Sequence, residues 1–164
     1  MTYHPGIRAL GAQDANEGHE RSEPRGWSTP RASRIVARMR LDEKARENLE
    51  AAERLLPDES GREGLLNAAA SRLYYAAYLA VADRALQGGI GFTHAEKEYF
   101  RHDSLPQEAR SWGLLGEDEA EELEILYSLR IRADYFEDQI DLEEASLAYD
   151  GAERLVSQLL GTVA

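Results

Sequence analysis

Arg130, Asp134 and Tyr135 lie within six positions of one another in the stretch LYSLRIRADYF, residues 126–136. An arginine can hold a phosphate or steady charge that develops on one, and an ionised carboxylate can accept a proton. A phenol with a pKa near 10 does neither well at neutral pH. At about 100° per residue, Leu123, Tyr127, Arg130 and Asp134 fall within about 60° of one another on a helix. Leu126, Leu129, Ala133 and Phe136 make an apolar stripe beside them. The polar four therefore border the core side, whereas Arg132 and Glu137 point away and read as solvated. The plain alternative for Arg130 and Asp134 is an i,i+4 ion pair worth a few tenths of a kcal/mol, in the less favourable order of base before acid.

A second helix carries a matching oddity. SRLYYAAY, residues 71–78, puts Tyr74 and Tyr78 on one face and Arg72 with Tyr75 on another. Buried tyrosines at this spacing are ordinarily core residues whose hydroxyls find one partner each. The other reading has Arg72 or Tyr75 facing the Arg130 helix, across the bundle or a subunit interface. His94, in THAEKEYF, stands in the first turn of a short helix and is a candidate substitute base. The remaining histidines are His4, His19 and His102, so none follows position 102.

The elements that must position these residues read as helices from Met39 onward, with no strand-period run. Leu41, Ala45, Leu49, Ala52 and Leu56 form the first stripe, ended by Pro57. The second helix, about 63–86, is alanine-rich, which admits a close neighbour, and Gly88-Gly89 ends it. Thr93 with Glu96 reads as a capping box opening a short helix at His94. RHDSLPQEARSWGLLG is loop-rich with one helical turn, and a long helix follows with acidic residues at its positive end. Asp141 with Glu144 caps the last helix, whose stripe is Ala145, Ala148, Tyr149, Ala152, Leu155, Val156 and Leu159. Four main helices with mostly short links make an all-α, up-and-down bundle of four or five helices.

Composition bounds the chemistry. The 164 residues make one domain's worth of chain, and with no cysteine there is no disulfide, thiolate metal site or thiol nucleophile. The net charge of −12 opposes general coating of nucleic acid, although a local basic pocket is compatible with it. No apolar run reaches membrane-spanning length and the N-terminus is polar, so the expectation is a soluble, cytoplasmic protein. There is no HExxH, phosphate-binding glycine loop or GxSxG elbow, and no metal or other cofactor is expected. Residues 1–38 concentrate Pro and Gly and carry six arginines against four acidic residues. They read as an unstructured or non-native leader ahead of a folded domain at 39–164.

Taken together, NAAASRLYYAAYLAVADRAL, THAEKEYF and LYSLRIRADYF resemble, in order and spacing, the HEPN domain family, over about residues 39–160. The similarity is greatest to its branch of small prokaryotic proteins. The resemblance implies a helical bundle that forms homodimers and is often encoded beside a minimal nucleotidyltransferase, the two acting as toxin and antitoxin. It also implies a metal-independent ribonuclease site, in which an arginine is followed four to six residues later by a histidine. Arg130 stands at the arginine position, but Asp134 or Tyr135 stands where the histidine belongs. The expectation is therefore a module that binds a nucleotide or a nucleotidyltransferase partner with little or no catalysis. Tyr135 would be the residue that such a partner modifies, and Tyr127, Arg72, Tyr75 and His94 are candidate binding residues. The alternative is a divergent ribonuclease toxin using Arg130 with Asp134, Tyr135 or His94.

Overall fold

The computed structural model describes residues 31–56, 63–93, 99–136 and 140–161, with residues 31–40 and 63 as backbone alone. The fold is all-α. Four long helices, α1 (Arg31–Leu55), α2 (Glu63–Gln87), α4 (Glu117–Tyr135) and α5 (Leu142–Leu160), are joined by a short α3 (Leu105–Ser111). α1 begins ahead of Met39 and runs without interruption through the point where composition shifts. The expected short helix at His94 falls on residues outside the described set. Thr93 is described, and its Oγ1 accepts the backbone N–H of Arg101 at 2.9 Å.

α2 is the central helix, packed against α1, α4 and α5. Its sequence explains why. Ala69, Ala70, Ala76, Ala77, Ala80, Ala82 and Ala85 are all buried, and small side chains on several faces let three neighbours approach one helix. Leu73, Tyr74 and Val81 supply the bulk between them. The helix stops at the glycine pair: Gly89 adopts φ 81°, and the N–H of Ile90 reaches back to the Ala85 carbonyl at 3.0 Å. That six-to-one bond with a left-handed glycine is the Schellman arrangement.

α5 starts where Asp141 and Glu144 place it. The Asp141 side chain accepts the Glu144 N–H at 2.8 Å, and the Glu144 carboxylate accepts the Asp141 N–H at 3.3 Å. Its far end is closed by another helix. Arg46 of α1 donates to the carbonyls of Leu160 at 3.1 Å and Gly161 at 3.2 Å, placing a cation on the negative end of the helix dipole. Replacing Arg46 by Ala is expected to cost about 1 kcal/mol in urea unfolding, with the loss concentrated in hydrogen-exchange protection of the last turn of α5.

Two expectations for α4 are corrected. Arg132 is not merely solvated: it holds Glu144 with Nη1–Oε1 at 2.7 Å and Nη2–Oε2 at 3.3 Å, tying α4 to the first turn of α5. Phe136 does not extend the apolar stripe. The helix ends at Tyr135, and Phe136 is its C-cap with φ −119° and ψ 154°. That extended backbone takes the ring off the helical register, leaving it 60% exposed. Glu137 lies outside the described residues.

Candidate functional site

One face of α2 and one face of α4 meet at the residues singled out above. α2 contributes Ser71, Tyr74, Tyr75 and Tyr78, spaced to fall on adjoining rows of the helix surface. α4 contributes Tyr127, Arg130 and Asp134. The helices run antiparallel here, since Ser71 reaches Asp134 while Tyr74 packs on Tyr127 with ring centroids 5.3 Å apart.

Arg130 is the centre of this face. Its Nε lies 2.8 Å from Asp134 Oδ2, with only 17% of the arginine side chain exposed. The guanidinium carbon lies 5.3 Å from the ring centre of Tyr135 and 6.0 Å from that of Tyr75, so two aromatic rings lie within cation–π range. Burial works against the charge, but Asp134, Tyr75 and Tyr135 outweigh it and raise the pKa further. Asp134 is itself held, because Oδ1 accepts the Ser71 hydroxyl at 2.7 Å. Asp134 thus acts as an anchor for Arg130, tethered on both of its oxygens.

A histidine stands in this cluster, one that spacing along α4 does not point to. Tyr78 Oη donates to the Phe100 carbonyl at 2.9 Å and accepts the Phe100 N–H at 3.2 Å. Phe100 is fully buried against Phe92 and Trp112, so the segment after the α2 loop is pinned at that residue. Two positions on, His102 lies over the ring of Tyr78, with centroids 4.4 Å apart and planes at 29°. Its Nδ1 is 2.7 Å from Tyr74 Oη. His102 and Arg130 approach the same Tyr75 ring, which is 6.0 Å from each.

The electrostatics follow from this packing. Burial lowers the pKa of His102, and the Arg130 charge lowers it further; Asp103 acts in the opposite sense. The net effect favours the neutral imidazole. Burial pushes the Tyr74 phenol well above its ordinary value, with Tyr78 and Tyr127 adding to it, so its proton stays on. For Nε2 of His102 to accept a proton, Nδ1 must carry the other hydrogen and donate it to Tyr74 Oη.

A histidine whose folded pKa is depressed binds fewer protons folded than unfolded. Its contribution to stability is full above about pH 6.5 and is lost as pH falls through the lowered folded value. Urea midpoints measured from pH 7.5 to 5 should therefore drop on the acid side, and His102→Gln should flatten that part of the curve.

The expected site residues separate into groups. Tyr75, Tyr127, Arg130, Asp134 and Tyr135 come together. Arg72 does not: it is exposed and donates to Asn48 Oδ1 on α1 at 3.2 Å, away from the α4 face. His94 lies outside the described residues. His102 and Ser71 are the additions. The sequence signalled only that a buried phenol such as Tyr74 needs a hydrogen-bond partner, which His102 supplies; nothing in the spacing pointed to Ser71, whose hydroxyl goes to Asp134. Among the described residues no group of three or more His, Cys, Asp or Glu could hold a metal ion, and no helix is long and apolar enough to cross a membrane. No family model, curated protein or solved structure matches this chain.

Proposed function

We propose that the Arg130 face is an anion site for the phosphate of a nucleotide or of single-stranded RNA, carried on a HEPN-like bundle in the cytoplasm. The observation that carries this reading is the guanidinium itself. It is largely buried, lies near the rings of Tyr75 and Tyr135, and is anchored through Asp134 and Ser71. With Asp134 on its Nε edge, the guanidinium fork has further N–H donors suited to a ligand oxyanion. On this reading the chain forms a homodimer and works with a nucleotidyltransferase of the toxin–antitoxin type, for which Tyr135 is the exposed residue within reach. A stable complex between the purified chain and the product of a neighbouring nucleotidyltransferase gene is the expected result. Absence of any complex would remove the partner from the proposal.

His102 favours a second reading, ribonuclease activity, with a different base from Asp134, Tyr135 or His94. Nε2 of a neutral His102 would take the 2′-hydroxyl proton, and the 2′-oxygen would attack phosphorus beside Arg130. The bond to the 5′-oxygen would break, and that oxygen would take a proton from water. Cleavage of single-stranded RNA in the presence of EDTA, lost in both Arg130→Ala and His102→Ala, is the result that selects this reading. Binding without cleavage selects the first.

A further inference from the structure

We infer that the rings near Arg130 form a nucleobase subsite, so that the site takes a phosphate joined to a planar heterocycle in preference to a bare phosphate or a sugar phosphate. The inference rests on the anion-site reading above and names its ligand more narrowly.

Tyr135 carries the argument. It is the last residue of α4 and 68% exposed, yet its ring stands 5.3 Å from the Arg130 guanidinium. A large aromatic left this open gains little for the core, since most of its surface stays in water. Tyr75, the second ring near Arg130, is half-buried and packs with His102 at an interplanar angle of 87°. The cation therefore has one packed ring and one open ring within reach. A nucleotide whose phosphate is held by Arg130 would have its base within reach of the open Tyr135 face, and stacking there needs no base-specific hydrogen bond. The surrounding charge adds selectivity. The chain is strongly acidic and Asp134 already balances part of the Arg130 charge, so a phosphate alone is held weakly and the stacked base supplies much of the affinity.

The test is equilibrium binding of the full chain to adenosine 5′-monophosphate, ribose 5-phosphate and inorganic phosphate, by calorimetry at low salt. Adenosine 5′-monophosphate is expected to bind about 10-fold or more tighter than ribose 5-phosphate. Tyr135→Ala should erase that difference while ribose 5-phosphate binding persists. Phe136→Ala, which removes an equally open neighbour, should leave the difference intact. Equal binding of the two phosphates, with both weakened by Arg130→Ala, would overturn the base subsite and keep the anion site. Loss of the difference in Phe136→Ala as well would overturn the subsite in favour of a nonspecific apolar patch. A Tyr135→Ala change confined to self-association, with the base preference unaltered, would make the ring a protein contact and also overturn it. Failure of all three probes to bind would overturn the anion site itself.

Discussion

Tyr74→Ala is expected to be the most destabilising single change at the site, at about 3–5 kcal/mol, the range for deleting a large buried aromatic. Tyr74 is 1% exposed and packs against the rings of Tyr75, Tyr78, Tyr127 and His102, so its removal opens the joint between α2, α4 and the 99–104 segment together. Domains of this size have about 5–15 kcal/mol in total, so the variant should lose a large share of its stability and lower its urea midpoint accordingly. Tyr74→Phe separates packing from the hydrogen bond. It keeps the ring and removes only the hydroxyl at 2.7 Å from His102, for an expected cost of about 1–2 kcal/mol. If Tyr74→Phe matched Tyr74→Ala, the hydroxyl would outweigh the ring and this account of the cluster would be wrong.

Arg130→Ala should show the reverse profile, with a small effect on folding and a large effect on binding. The Arg130–Asp134 pair lies at the edge of the bundle, where such pairs contribute about 1 kcal/mol or less, and Asp134 keeps the Ser71 hydroxyl when its partner is gone. A guanidinium gripping a phosphate by two charge-assisted bonds contributes roughly 1.5–3 kcal/mol through each. Its loss is therefore expected to weaken nucleotide binding by at least about 100-fold, with the urea midpoint nearly unchanged. A large fall in stability with it would assign Arg130 to the scaffold.

The parts of this molecule that could be read from sequence are those encoded within a single element. The Asp141–Glu144 capping box pairs residues three positions apart and opens α5 as its types dictate. Arg130 and Asp134 share a face for the same reason, and Tyr74 and Tyr78 both turn inward. What could not be read depends on the register of one element against another. Arg132 finds Glu144 only because α4 and α5 run antiparallel with those residues level, and no periodicity along α4 contains that. Arg72 and Tyr75 are near neighbours on a helical wheel, yet α1 claims one and α4 the other. His102 sits in a connection without period, and its place is fixed by Tyr78 gripping the Phe100 backbone 22 residues away in sequence.

The central claim is that one arginine, set among these rings, holds a phosphate. Titrating the full chain with adenosine 5′-monophosphate, beside Arg130→Ala and Arg72→Ala, tests it most directly. Each variant removes one positive charge, but Arg72 is exposed and turned toward Asn48. The account predicts that Arg130→Ala abolishes measurable binding while Arg72→Ala binds as the parent does. Equal weakening by both variants would reduce the effect to net charge and contradict a site at Arg130.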